Sequence, residues 1–202
     1  MRNGFFEIFA ESKFLSLFVG LVGLLATWQT LSDHAPPLPD FANLISEASL
    51  SFSMPDGFEE TAVIHNPDVI YHYAIRAKEA KIEVRYSIEA FGNDDQRNKP
   101  VRWMSITMAT AFNISAGADK GVVDRIKQMP DSEISKLNAE LGAVVMSNPS
   151  ESSFGGEYKQ CMFFSIFKSG KGLAAIYLLY DDTESLQKVD NSVLYSLRFK
   201  ED

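Results

Sequence analysis

Two histidines and two glutamates lie close together in the sequence and have side chains that bind metal ions or transfer protons. His65 and His72 flank an Asn-Pro-Asp turn, and Glu59 and Glu60 precede them. On one face of a hairpin such a set would hold a metal ion or supply acid and base to a hydrolase. The spacing matches no established zinc pattern, so solvent-facing turn residues are the preferred interpretation. We assign no catalytic, metal-binding or cofactor-binding residue, and keep an exported hydrolase using the acids and histidines of residues 59–72 as the alternative function.

Other short patterns that resemble chemical motifs are better explained as local structure. The chain has no G-x-S-x-G segment to support a Ser-His-Asp triad. "GADKG" (117–121) lacks the Lys-Ser/Thr ending of a phosphate-binding loop. The acidic residues of 181–184 lack the spacing of a calcium loop and predict a D-x-x-E helix cap. The single cysteine, Cys161, permits no internal disulfide, and its apolar neighbours predict packing rather than a reactive thiol.

The composition excludes some classes of partner. The formal net charge of the 202 residues is −8, whereas a protein that neutralises phosphates needs a surplus of Lys and Arg. We therefore predict no nucleic-acid partner, and direct adhesion to an anionic lipid surface is disfavoured for the same reason. With 46% hydrophobic and 23% charged residues, the chain is typical of a packed globular protein.

An apolar run near the N-terminus predicts export. "FLSLFVGLVGLLATW" (14–28) carries no charge, and it fits the core of a signal peptide or a membrane span extended by residues 29–31. Arg2 and Lys13 precede the run, and the next basic residue is Arg76. This asymmetry places the N-terminus in the cytoplasm and the rest of the chain outside. A buried N-terminal helix of a soluble protein is the alternative.

Residues 1–31 are predicted to be a signal anchor or a signal peptide. No convincing cleavage site follows the run, and Glu7 and Glu11 offset the basic residues, so a retained anchor is preferred. Three prolines predict an extended stalk over residues 32–48, and the globular domain is expected over residues 49–202. The expected location is the bacterial inner membrane with the domain on the periplasmic or other extracytoplasmic side, or secretion if the N-terminus is cleaved.

The first half of the domain predicts paired strands. A strand beginning at residue 50 runs into a Pro-Asp-Gly turn at residues 55–57. Residues 69–90 predict a hairpin whose first strand carries Tyr71, Tyr73 and Ile75 on one face. In its second strand, apolar and polar residues alternate strictly, which predicts one buried and one solvent-facing side. The buried side is formed by Ile82, Val84, Tyr86 and Ile88.

The second half predicts a helix, a hairpin and a closing strand. Pro100 begins a helix that Gly117 ends, with a core stripe of Val101, Met104, Met108, Ala111 and Phe112. A helical piece and a strand at 143–146 follow, and a loop then leads to two apolar strands joined by the turn at residues 169–172. A last helical stripe (Leu186, Val189, Val193 and Leu194) precedes the terminal strand "YSLRF". This order predicts an α+β fold, a mainly antiparallel sheet with helices packed on it.

Several of these segments carry a resemblance to a known family. "SFSMPDGFEE", the long central helix, the glycine-turned hairpin and the terminal "LYSLRF" resemble the PsbP-like sandwich that Mog proteins share. "NPDVIYHYAI", "LNAELGAVVM" and "EYKQCMFF" are also similar to small exported bacterial proteins of unknown function. The resemblance covers residues 49–200 and consists of structural motifs, so it supplies no catalytic residues. It implies a PsbP-like α/β/α sandwich that acts as a binding or assembly factor.

From the export signal and the resemblance together we expect an interaction or assembly module without catalysis. It would be tethered to the membrane through its N-terminal helix and would bind a protein partner in or near the membrane. No cofactor is expected.

Overall fold

The computed structural model describes residues 39–91, 99–115, 125–149, 153–187 and 191–201. The predicted N-terminal hydrophobic helix lies outside these residues, and no helix among those described is long and apolar enough to cross a membrane. The helices are α1 (Phe41–Glu47), α2 (Pro100–Ile114), α3 (Asp131–Lys136) and α4 (Thr183–Gln187), with a 3-10 turn at Asn191–Val193. The strands are β1 (Leu50–Phe52), β2 (Phe58–Thr61), β3 (Tyr73–Ala77), β4 (Ile82–Ala90), β5 (Lys127–Gln128), β6 (Leu141–Ser147), β7 (Gln160–Lys168), β8 (Gly172–Tyr180) and β9 (Leu197–Phe199).

A seven-stranded antiparallel sheet forms the centre of the fold, in the order β2-β3-β4-β8-β7-β6-β5. The two long apolar strands β7 and β8 form the predicted hairpin, with Gly170 at a φ of +70° in the turn. All nine residues of β8 are buried, which requires cover on both faces of the sheet. The predicted α+β class with a mainly antiparallel sheet is confirmed.

One face of the sheet is covered by α1, α3 and a two-stranded ribbon of β1 and β9. The buried side of β4 lies here as predicted, with Ile82, Val84, Tyr86 and Ile88 in the core. The Pro-Asp-Gly turn after β1 is also confirmed, since Gly57 has a φ of +78°. The predicted terminal strand is present as β9, but it pairs with β1 and does not join the large sheet.

The other face of the sheet is covered by α2 and by two loop segments around residues 63–71 and 153–158. Consequently the polar side of β4, which we predicted to face solvent, is partly enclosed. Arg85 is only 6% exposed. Tyr71 lies on this side as well, so the prediction that it shares a face with Tyr73 and Ile75 is wrong. It precedes β3, and its hydroxyl accepts a hydrogen bond from the Ile64 N–H at 2.8 Å.

The predicted stalk differs from the structure over its second half. Residues Phe41–Glu47 form α1, which Asp40 caps by accepting the Ala42 N–H at 3.2 Å. Leu44 is buried in the core, and the Phe41 ring stacks on Tyr73 with centroids 4.4 Å apart. The first half, residues 32–38, lies outside the described residues. The last of the three prolines is Pro39, two residues before the helix begins, so the prolines gave no reason to expect an extended stalk over residues 41–48.

Candidate functional site

A cavity of about 250 Å³ lies between α2 and the sheet. Its floor belongs to one cross-strand row of small side chains, in which Ser87 of β4, Ala175 of β8 and Ser165 of β7 are consecutive register partners. Bulky residues occupy the neighbouring rows, with Tyr177 and Phe163 on one side and Leu173 on the other. The small side chains of this row leave room between the helix and the β4 and β8 part of the floor, because they fill less space than the larger residues of the rows on both sides.

The roof and wall of the cavity come from α2 and from the loop before β3. Ile106 and Thr110 of α2 form the roof, and residues 68–70 form the wall. The loop is held by Asn66, which is buried and whose Oδ1 accepts the N–H groups of Asp68 and Val69 at 2.9 and 2.8 Å. Asn113 of α2 donates to the Asp68 carbonyl at 2.8 Å and links the two parts.

The hydroxyl groups that line the floor form hydrogen bonds with neighbouring side chains of the protein. The Ser165 hydroxyl accepts the Trp103 indole N–H and is hydrogen-bonded to Thr107, each at 2.9 Å. The Tyr177 hydroxyl is hydrogen-bonded to Ser87, and burial raises the pKa of Tyr177 well above its ordinary value. Tyr177 therefore stays protonated and acts as a hydrogen-bonding group rather than as a base.

The charges that line the cavity are negative. Asp68 and Glu89 are its two ionisable carboxylates, and no Lys, Arg or His belongs to the lining among the described residues. Glu89 accepts from Arg102 of α2 at 3.1 Å, with its side chain 33% exposed. Asp68 accepts from the Ser153 hydroxyl at 3.2 Å. Asp68 is exposed, so both carboxylates keep contact with solvent.

Next to the cavity, on the same face of the sheet, lies the buried side chain of Arg85. The Arg85 guanidinium lies between the Tyr71 and Phe154 rings, 4.8 and 4.7 Å from their centroids. It pairs with Glu83 and donates to the Phe154 carbonyl. Burial, and then the Glu83 charge, raise the pKa of Tyr158 to about 12. Every charge here has a partner, so the arrangement is structural.

Helix α2 turns a different side to the sheet from the one predicted. Its buried residues are Trp103, Thr107, Ala111 and Ile114. Of the predicted core stripe only Ala111 is buried, whereas Val101 is 76% exposed, Met104 41% and Phe112 37%. The physical reason is the hydroxyl of Ser165, which provides the partner that Trp103 and Thr107 need in order to be buried.

Exposed apolar side chains concentrate on the layer that contains α2. Seven large hydrophobic residues are exposed among those described, and five of them lie on α2 or on the segment 64–70 beside it. These five are Ile64, Ile70, Val101, Met104 and Phe112. We call them the apolar face. Arg102 is the single charged residue within α2, so little on the helix itself opposes contact with an apolar surface.

The histidines and glutamates singled out in the sequence do not form a common site. Glu59 pairs with Arg76 at 2.9 Å, and Glu60 accepts from the Tyr73 hydroxyl at 3.2 Å. His65 is exposed, while the His72 Nδ1 accepts the Ile88 N–H at 3.1 Å. Among the described residues no group of three or more His, Cys, Asp or Glu side chains is placed to hold a metal ion.

The remaining sequence-level motifs have structural roles where they are described. Asp182, and not Asp181, caps α4 by accepting the Ser185 N–H at 2.7 Å. Asp181 instead pairs with Lys81 at 3.0 Å. Cys161 is fully buried, and burial raises the pKa of its thiol to about 12, consistent with packing. "GADKG" (117–121) lies outside the described residues.

The cavity was not anticipated from the sequence. Its floor residues come from three strands, and only the register brings Ser87, Ser165 and Ala175 into one row. A serine in the middle of the otherwise apolar "QCMFFSIF" is the one signal that could have pointed to it.

No protein-family model matches this chain, and no curated protein and no solved structure matches it.

Proposed function

We propose that this protein is an extracytoplasmic binding module without catalysis, tethered to the membrane by its N-terminal apolar run. It binds a protein partner through the apolar face. The concentration of five of the seven exposed large hydrophobic residues on one layer of the domain carries the proposal. An exposed apolar patch of this kind is typical of a surface that another protein covers.

The partner we expect presents an apolar surface, such as one side of an amphipathic helix. Val101, Met104 and Phe112 are spaced along α2 so that they follow one another on its outer side. Such a stripe matches the apolar anchors of a second helix. Two methionines on or near this side, Met104 and Met108, add flexible apolar contacts.

The location remains part of the proposal and is supported by the sequence alone. The run 14–28 and the basic residues Arg2 and Lys13 before it are the basis for placing the domain on the extracytoplasmic side of the bacterial inner membrane. The PsbP-like resemblance agrees with a binding role. The hydrolase alternative gains nothing from residues 59–72, because Glu59 pairs with Arg76, Glu60 accepts from Tyr73, and Asp68 accepts from Ser153.

A double substitution, V101D with M104D, tests the role of the apolar face. Both side chains are exposed, so the unfolding temperature should stay close to that of the wild type, while co-purification of a partner from solubilised membranes should be lost. K78D, on the exposed turn after β3, is the control and should retain the partner. Retention of the same partner by the double variant would contradict the assignment of the apolar face.

A further inference from the structure

The cavity beneath α2 has the properties of a small-molecule site. Its lining combines apolar side chains, among them Ile106 and Leu173, with hydroxyl groups such as Ser87 and Thr110. Ligand sites generally pair an apolar lining with a few placed polar groups. The volume of about 250 Å³ is just below the usual range for drug-sized ligands, and it corresponds to roughly eight water molecules at about 30 Å³ each. A ligand of about eight non-hydrogen atoms therefore fits within the cavity.

The charge of the lining selects the class of ligand. Asp68 and Glu89 are both acidic, and the described lining contains no basic side chain to oppose them. An anion would meet net repulsion there, while a cation would gain attraction in a partly desolvated site. Arg102, which pairs with Glu89 at 3.1 Å, neutralises part of this field but does not line the cavity.

Hydroxyl groups in the lining favour the same class. Phe163 and Tyr177, whose rings stack on each other with centroids 5.1 Å apart, form the apolar side of the cavity. The hydroxyl of Thr110 and the Ser87–Tyr177 pair supply acceptors for ammonium hydrogens.

We propose that the cavity between α2 and the sheet binds a small organic amine in its protonated form, with the ammonium group toward Asp68 and Glu89 and the apolar body above Ala175. This site borders the apolar face and shares one residue with it, since Ile70 lines the cavity and is also exposed. Asp68, Glu89 and Ala175, on which the amine proposal rests, do not belong to the apolar face, so loss of amine binding in E89Q and loss of the partner in the V101D and M104D variant are separate outcomes.

Three probes of nearly equal shape test the charge preference: benzylamine, benzyl alcohol and benzoate. Titrated into the full-length protein in a non-ionic detergent, benzylamine should bind at least about tenfold more tightly than benzyl alcohol. Benzoate should show no binding. Equal binding of the three probes, tighter binding of benzoate, or no binding of benzylamine would overturn the proposal.

Substitutions then locate the bound amine. E89Q should weaken benzylamine at least about fivefold and leave benzyl alcohol unchanged. E59Q changes a glutamate that also pairs with an arginine, Arg76 at 2.9 Å, but lies outside the cavity, and it should have no effect. A175L should fill the floor and abolish binding, whereas A175S keeps it small and should retain binding. Unchanged benzylamine affinity in E89Q or in folded A175L would place the amine elsewhere and refute the site.

An amide NMR titration of the wild type keeps the test decisive if A175L fails to fold. Benzylamine should shift the resonances of Ser87, Ala175 and Thr110, and leave those of β1 and β9 unchanged. Shifts confined to any other part of the protein would refute the site.

Discussion

At the scale of single residues, the most consequential feature is a charge that the fold encloses. Arg85 alternates with apolar residues along β4, and this pattern predicted a solvent-facing side chain. In the structure it lies between two aromatic rings, and its guanidinium has one carboxylate partner, Glu83, among the described residues. The stability of this region therefore depends on Glu83 remaining in place.

Replacing Glu83 with Ala should destabilise the protein by about 3 kcal/mol, because it leaves a buried cation without its counter-charge. The expectation from the sequence, with Glu83 in solvent, would be a loss under about 0.5 kcal/mol. Urea unfolding of E83A against E59A measures the difference. Glu59 belongs to an exposed pair with Arg76, so E59A should cost less than about 1 kcal/mol. Equal losses in the two variants would show that Arg85 does not depend on its partner.

His72 should make the free energy of unfolding fall as the pH is lowered. Burial lowers the pKa of His72 below its ordinary value of 6.5, and its Nδ1 accepts the Ile88 N–H only when unprotonated. The unfolded chain thus takes up a proton at a higher pH than the folded protein does. The stabilising contribution is complete above pH 6.5 and is lost as the pH falls through the lowered pKa.

The variant H72N tests this dependence, because an Asn oxygen can accept the same N–H without titrating. Between about pH 7.5 and pH 5, the wild type should lose more unfolding free energy than H72N does. His65, which is exposed, provides the control H65N, and its loss should match that of the wild type. If the wild type and H72N lose equal stability, His72 is not the group responsible.

At the scale of elements, α1 shows how a short helix becomes part of the core. It has seven residues and would be unstable alone, so tertiary contacts must hold it. Those contacts are the burial of Leu44 and the stacking of Phe41 on Tyr73. The compact unit accordingly begins at Pro39 and not at residue 49.

A chain beginning at Pro39 should fold cooperatively, and one beginning at Ser49 should be less stable by about 3–6 kcal/mol. The shorter chain lacks Phe41 and Leu44, and burying a Phe or Leu side chain contributes about 1.5–3 kcal/mol each. Thermal and urea unfolding of the two chains provide the comparison. A substitution, L44A, should reproduce about 2–5 kcal/mol of the loss, while S46A, on an exposed position, should be nearly silent.

Sequence patterns predicted the strands correctly but not the buried side of α2, because a local pattern records burial along the chain and not contacts with distant residues. Alternation along β4 and the unbroken apolar runs of β7 and β8 reflect local burial, and these strands and their antiparallel class were predicted correctly. Helix α2 has one charged residue, so no polar side indicates its orientation. Its buried side is decided by Ser165, 62 residues after Trp103, which no local pattern contains.

At the scale of the whole molecule, two neighbouring features that share Ile70 lie on the same side of the central sheet. The cavity lies beneath α2, and the apolar face lies on α2 and the segment beside it. The opposite side is closed by α1, α3 and the ribbon of β1 and β9. The cavity and the apolar face, on which the two binding proposals rest, thus both lie on the side that α2 covers.

Neither feature could be derived from the sequence, for a shared reason. The cavity requires the register of three strands, and the apolar face requires the rotation of α2 about its axis. Both quantities are set by contacts between residues far apart in the chain. The predicted core stripe of α2 was wrong for Val101, Met104 and Phe112, because the apolar side that they form faces outward.

Site-specific photo-crosslinking in the cell tests the central claim most directly. A photoreactive amino acid at Val101 or Ile70 places the label on the apolar face, and one at Glu79 places it on the exposed turn between β3 and β4. The account predicts one discrete protein adduct, the same at Val101 and Ile70, and none at Glu79. The absence of an adduct at both apolar positions, or an equal adduct at Glu79, would contradict a binding module that acts through this face.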